Sequence, residues 1–249
     1  MTTGIQPDIV QLVVSWAIRH TAETDTVIGS SVETFMGALD CGEPFSWGTE
    51  DLGERLWDTA EMTRFIRTQM PGPTHVKIMG GPDNPAALTM TVNRTSLGLE
   101  EVLTGFLDAG PWRNPISVRR VDKVADALGE ICVETMPLFA IVLTRGGWMA
   151  VDSGPLTRMA PDVDSLAPMA PVAMLIGPPG VHDLNVDIDR LCGQFDAKVA
   201  GRPQLPALVF PLLSDNEPSQ VRLARILTAI GEDKIQSILG WDVHSQGGV

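Results

Sequence analysis

Hydrophobic positions along this chain recur with either of two periods, and most segments follow one of them clearly. In residues 58–70, Met62, Phe65, Ile66 and Met70 share one face, the three-to-four spacing of an amphipathic helix. Asp58 stands at the N-cap with Glu61 three residues on, a variant of the capping box, and Pro71-Gly72-Pro73 ends the helix. His75 to Met79 then reads as a strand and GGPDNP as a turn. Leu88, Met90 and Val92 alternate with Thr89, Thr91 and Asn93, the period-two pattern of a half-buried antiparallel strand. Residues 31–39 predict a short helix stopped by Gly42 and Pro44. Residues 7–20, PDIVQLVVSWAIRH, fit both periods. With Pro7 near its start, we read this segment as a helix.

Further along, Ser96 is expected to open a helix with Leu99, Val102, Leu103, Phe106 and Leu107 on one stripe, ended by Gly110 and Pro111. Residues 116–120 predict a strand, and Asp122 caps a helix carrying Val124, Leu128, Ile131 and Cys132. Phe139 to Thr144 and Trp148 to Val151 flank Arg145-Gly146-Gly147, a hairpin signal. Residues 154–171 hold four isolated prolines and no period, so a long loop is expected there, neither helix nor central strand. Val172 to Gly177 and Ala207 to Leu213 are apolar strands. Asp187 caps a helix with Ile188, Leu191, Cys192, Phe195 and Val199 inward. A last helix covers 218–230, with a short turn of helix near 235–239. Helices and strands mix throughout, which predicts an α/β or α+β fold with a mixed sheet and flanking helices. The middle and C-terminal parts share a ββαβα order, compatible with a structural pseudo-repeat. A division at 1–70, mainly helical, and 71–249, mixed α/β, is expected, or one continuous domain.

Composition narrows the class. Of the 249 residues 44% are hydrophobic and 20% charged, so the chain is neither disordered nor fibrous. A net charge of −13 repels phosphates and argues against nucleic acid. Arg113, Arg119 and Arg120 form the one basic cluster, which pairs more cheaply with local acids. No basic region followed by an apolar run opens the chain, and no apolar run approaches a bilayer span, so a cytoplasmic protein without membrane insertion is expected. The three cysteines, Cys41, Cys132 and Cys192, form no disulfide framework. Arginine outnumbers lysine fourteen to four and tyrosine is absent, the bias of a GC-rich genome such as an actinobacterium's.

Candidate chemistry is sparse. IGPPGVHDL at 176–184 follows a strand as a phosphate loop would, but Val181, His182 and Asp183 stand where lysine and a hydroxyl are needed; a strand-to-helix turn is the favoured reading. His20, His75, His182 and His244 show no metal-ligand spacing. His182 beside Asp183 is the best acid-base pair. Ser153 lies outside any G-x-S-x-G elbow. Cys132 and Cys192 fall on apolar helix faces, and Cys41 lies in a loop. Asp187 with Asp189, and Glu130 with Glu134, read as helix caps and solvated faces. No catalytic residue, cofactor or metal ligand is assigned. Phe45, Trp47, Trp57 and Trp112 lie in or beside loops, and Met159, Leu166 and Met169 fall in the irregular 154–171 stretch. Tryptophan and methionine are enriched at binding surfaces, so Trp47, Trp57, Trp112, Met159, Leu166 and Met169 are the candidate interaction residues.

Three stretches carry a resemblance: PFSWGTEDL at 44–52, LWDTAEMTRFIRTQMPGPTHVKIMG at 56–80 and MTVNRTSLGLEEVLT at 90–104. They are similar to an uncharacterised actinobacterial family in a W-G-T turn, a Trp-led helix, a P-x-P-T strand entry and an R-T-x-x-G-x-E-E helix start. Such genes often lie near type VII (ESX-type) secretion genes. The resemblance implies a cytosolic accessory role and supplies no catalytic residues. Physically, Thr95 or Ser96 with Glu100 and Glu101 reads as a capped, acidic helix start. The expected function is a non-enzymatic protein-binding or accessory module, chaperone-like, whose partner is another protein such as a secretion substrate. The alternatives are an enzyme with a fold-assembled site and a virion or other assembly component.

Overall fold

Residues 9–20 form a strand, not a helix. LVVSWAI satisfies both periods because both faces of this segment are buried: Leu12, Val14, Trp16 and Ile18 on one side, Val13 and Ser15 on the other. A two-sided strand loses its alternation and reads as a continuous apolar run. Its β-branched valines and isoleucines suit a pleated strand better than a helix.

The computed structural model describes residues 9–20, 27–49, 54–81, 84–96, 98–111, 115–146, 169–214, 216–231 and 233–235. Their elements are β1 (Ile9–His20), α1 (Ser30–Ala38), β2 (Ser46–Gly48), β3 (Arg55–Leu56), α2 (Thr59–Gln69), β4 (Thr74–Gly81), β5 (Asn84–Thr95), β6 (Gly98–Pro111), α3 (Pro115–Glu134), β7 (Pro137–Gly146), β8 (Met169–Ile176), α4 (Pro178–Asp183), α5 (Ile188–Phe195), β9 (Lys198–Arg202), β10 (Leu205–Pro211) and α6 (Ser219–Ile230). The strands form a ten-stranded sheet in the order β3-β2-β4-β5-β6-β1-β7-β8-β10-β9. Every pairing in it is antiparallel. The fold is therefore α+β, with helices flanking an antiparallel rather than a mixed sheet.

Strand β1 sits between β6 and β7, so the first seventy residues and the rest share one sheet. That first segment holds three strands as well as α1 and α2. One face of the sheet packs with α1, α2 and α3 through Leu12, Trp16, Val32, Phe35, Met62, Ile66 and Leu128. The other packs with α4, α5 and α6 through Phe139, Ile141, Met174, Ile176, Leu191, Phe210 and Ile226. Each such side chain contributes about 1.5–3 kcal/mol on burial, so the sheet acts as the shared wall of two cores.

Three further expectations are corrected. Residues 98–111 are strand β6 rather than a helix from Ser96. Leu99, Leu103 and Leu107 are spaced by four, which fits one helical stripe and also one strand face. Full pairing with β5 and β1 decides for the strand. The middle of the chain then runs βββα, and the expected ββαβα order is absent there. Residues 116–120 belong to α3, one helix of 20 residues that begins at Pro115. Proline is well placed in a first turn, where its missing N–H costs nothing. Met169 to Pro171 enter β8, an interior strand, instead of a loop. Pro171 is tolerated beside a register shift opposite Val142 and Leu143, the irregularity at which a strand accepts proline. Residues 154–168, and the second half of the hairpin expected at 148–151, lie outside the described residues. The edge strand β9 has no counterpart in the sequence reading.

Candidate functional site: a buried carboxylate and the open ends of the sheet

Among the described residues the most buried acidic group is Glu101. It points inward from β6 between Leu99 and Leu103 and is 1% exposed. An ionised carboxylate in that position needs several partners. Ser31 Oγ donates to its Oε1 at 3.0 Å. The Gly29 backbone N–H donates to Oε2 at 3.2 Å, and so does the His20 Nε2–H at 3.1 Å. Trp16 Nε1 donates in turn to Ser31 Oγ at 3.2 Å. Gly29 is the N-cap of α1 and supplies no side-chain cap of its own. Glu101 caps the helix from the neighbouring strand, where the positive end of the helix dipole favours a carboxylate. Gly29 has φ +87°, and a Cβ there would lie 3.3 Å from the Trp57 ring, so glycine is required at the junction.

The order of these groups decides what they can do. A serine nucleophile needs its base in direct contact. Here the carboxylate stands between Ser31 and His20, both bonded to it, and Ser31 is fully buried. The arrangement keys α1 to β1 and β6 through hydrogen bonds buried at Ser31 and Glu101.

The other sequence candidates are dispersed. His182 Nδ1 lies 3.0 Å from Asp183 Oδ1, and Arg19 donates to Asp183 Oδ2 at 3.2 Å. The His182 hydrogen bond, then the Arg19 hydrogen bond and charge, outweigh partial burial and hold the Asp183 carboxyl below its usual range. The His182 side chain is 90% exposed. His75 bonds Thr91 Oγ1 at 2.9 Å. Asp187 caps α5 by accepting from Arg190 N at 3.0 Å, and Glu134 accepts from Thr34 at 3.3 Å. Ser153, His244 and Arg113 lie outside the described residues, as do the side chains of Arg119 and Arg120. Among the described residues, no three His, Cys, Asp or Glu side chains gather to hold a metal ion.

The cysteines are free thiols. Burial pushes Cys132 up to about 12. Burial and then the Asp189 charge push Cys192 up as well, but Cys192 stays partly exposed. Cys41, expected in an open loop, is buried. Since the thiolate is the reactive species, the native protein at pH 8 should take up one alkylating label rapidly, at Cys192, and three after denaturation. Peptide mass spectrometry that finds Cys132 labelled as fast as Cys192 would refute the burial of that α3 face.

The turn at 176–184 runs from β8 into α4, with Gly177 at the N-cap and Pro178 following. Gly177 N donates to Leu138 O at 3.1 Å. A Cβ at Gly180 would lie 2.6 Å from the same oxygen. Both glycines therefore serve close packing against the start of β7, where a phosphate loop would use them to approach a ligand.

Of the interaction candidates, Trp47 is a core residue, 1% exposed in β2. It tilts against Phe65 at 5.5 Å and lies under the Arg55 guanidinium at 4.9 Å. Trp57 is half-buried and donates to Glu33 at 2.6 Å. Trp112, Met159 and Leu166 lie outside the described residues, and Met169 opens β8 opposite Arg145. The structure does not bring these six together. Some of the exposed large apolar groups lie near the two ends of the sheet, while Val27, Val133, Leu213 and Val221 are exposed elsewhere. Phe45 is 54% and Leu56 72% exposed beside β3, and Val199 and Leu205 are exposed at β9 and β10. Leu56 carried no signal in the sequence beyond its place in a Leu-Trp pair.

No helix among the described residues is long and apolar enough to cross a membrane. No curated protein and no solved structure matches the chain. The family model described as the DUF6177 C-terminal domain matches residues 11–232, from β1 through α6, and the chain belongs to that family.

Proposed function

We propose that this chain is a non-enzymatic protein-binding module that works in the cytoplasm through the open ends of its sheet. The supporting observation is the placement of exposed apolar side chains. Leu56 stands in the terminal strand β3 with Phe45 just before β2, and Val199 stands in the terminal strand β9 with Leu205 in the adjoining β10. Unpaired strand edges with apolar side chains are templates for another chain. The buried polar cluster is consistent with this reading, since Glu101 is sealed by intramolecular partners. The earlier resemblance gives the reading its finer form: an actinobacterial accessory factor, chaperone-like, of a type VII-like secretion system, with a secretion substrate as partner.

The test is cross-linking and mass spectrometry of the tagged chain in the cells that encode it, beside Phe45→Ser/Leu56→Ser and Val199→Ser/Leu205→Ser. All four positions are exposed, so each variant should keep its stability within about 0.5 kcal/mol per site. A stoichiometric partner that one of the two variants loses is the expected result. A chain that elutes without any cross-linked protein sinks the reading.

A further inference from the structure

Strand β9 closes one end of the sheet with five residues, and every residue from 169 to 214 around it is described. The direction of its main-chain groups follows from β10. Leu212 N donates to Val172 O at 2.8 Å, and bonding sides alternate along an antiparallel strand. The even residues of β10 therefore bond to β8 and the odd ones to β9. Pro206 and Pro211 fit this parity. Pairing with β8 begins only at Leu208 and pairing with β9 ends at Val209, so neither missing N–H leaves a ladder partner unmet. Val199 stands opposite Leu208 and Gly201 opposite Pro206. Both residues thus turn their N–H and C=O away from β10, toward the outer side of the sheet.

The side chains leave this edge clear. A lysine on an edge strand ordinarily discourages an added strand. Here Lys198 Nζ leans onto Asp126 of α3 at 2.7 Å, and Arg202 donates twice to Val133 O near the end of α3, at 3.0 and 3.1 Å. Ala200 packs on the same side, against the core shared with α3. Val199 projects from the opposite face and is 58% exposed. Gly201, next along that face, has no side chain.

A second copy of this chain matches the edge in one register. Two β9 strands can run antiparallel about a two-fold axis centred on Ala200 or on Val199. Centred on Ala200, Lys198 falls opposite Arg202 of the other protomer, and like charges directly opposite are destabilising. Centred on Val199, Lys198 falls opposite Ala200, and Ala197 opposite Gly201. Arg202 then falls opposite Asp196, whose side chain is 92% exposed although 3.5 Å from Arg222. The two Val199 residues exchange both main-chain bonds at the axis, and their side chains cover one another.

We infer that this chain forms a two-fold dimer by antiparallel pairing of β9 with β9, centred on Val199, which continues the sheet across the axis. The inference goes beyond the protein-binding reading and needs no other protein. A cross-link lost on Val199→Ser/Leu205→Ser would then be a link to a second copy.

Sedimentation equilibrium of the purified full chain tests it. The contact is short, at the small end of specific interfaces, so a Kd on the order of 10–100 μM is expected. Val199→Pro removes an N–H that β10 does not use, and should weaken the dimer by about tenfold or more with Tm near wild type. Val199→Lys sets two like charges at the axis and should weaken it similarly. Under mild oxidation Val199→Cys should be trapped as a dimer linked 199 to 199, because facing Cα atoms in a bonded pair lie about 5.5 Å apart, within disulfide reach. Peptide mapping separates that link from any through Cys192. A chain that stays monomeric up to about 1 mM overturns the inference. So does a dimer as tight in Val199→Pro and Val199→Lys as in wild type, or a Val199→Cys chain that oxidises without a 199–199 link. These measurements contain no foreign protein, so their failure leaves the protein-binding reading standing.

Discussion

Glu101→Ala should lower the free energy of unfolding by about 3–5 kcal/mol, the cost of removing one side of a buried, charge-assisted cluster. The substitution leaves Ser31 Oγ, the Gly29 N–H and His20 Nε2 without their common acceptor in a region closed to water. For a chain of this length about 1 kcal/mol moves Tm by about 2–4 °C, so a drop on the order of 10 °C is expected in a thermal melt. Glu101→Gln should cost less, because its amide oxygen still accepts from one partner. Ser31→Ala combined with Glu101→Ala should cost less than the sum of the two, since both remove the same bond. A Glu101→Ala protein within about 1 kcal/mol of wild type would mean that the carboxylate does not key α1 to the sheet.

This cluster also shows where sequence reasoning stops. Glu101 is 70 positions from Ser31 and 81 from His20, so no local spacing joins them. Read with Glu100, it looks like the acidic first turn of a helix. The one available signal was its place midway between Leu99 and Leu103, which is inward in a strand and sideways in a helix. Glycines at 98 and 105 were a second sign. Gly105 takes φ +151°, and a Cβ there would come within 2.6 Å of the Leu88 Cα, a close approach that belongs to paired strands.

Elements with their own local chemistry were legible. Asp58 and Asp187 accept from Glu61 N and Arg190 N as N-caps should, at 2.8 and 3.0 Å. The N-caps of α2 and α5 were therefore readable at the residue, but the expected α5 face ran too far: the helix ends at Phe195, and Val199, expected inward, is exposed in β9. The alternation of Leu88, Met90 and Val92 gave the inward face of β5, and all three are buried. Elements whose identity depends on neighbours were not legible. β1 is central and buried on both faces, so its pattern lost its period. β9 is a half-exposed edge of five residues with no apolar signature. At the candidate binding edge, Phe45 was visible as an apolar residue outside regular structure. Trp47, two residues on, was indistinguishable from it by type, although β2 turns that ring into the core. Exposure at a sheet edge follows from which strand comes last, and that is a property of the whole topology.

Gly177→Ala should be the more severe of two chemically identical changes. The added methyl would occupy the position of the Pro137 carbonyl, a backbone group that cannot rotate away. Either β8 and α4 move apart from β7 or the Gly177 N–H bond to Leu138 O is broken, and the expected cost is about 3 kcal/mol or more, in the range of overpacked core sites. Gly193→Ala is the control. It lies within α5, where nothing approaches within 4 Å of an added Cβ, so it should stabilise by about 0.5–1 kcal/mol through helix propensity and a less flexible unfolded chain. Urea unfolding of the two purified variants reads both signs. A glycine used for phosphate binding would affect ligand affinity and leave the empty protein's stability nearly untouched, whereas a glycine used for packing shows its effect with no ligand present. Wild-type stability for Gly177→Ala would overturn the packing role of the 176–184 turn and reopen the reading of that turn as a binding loop.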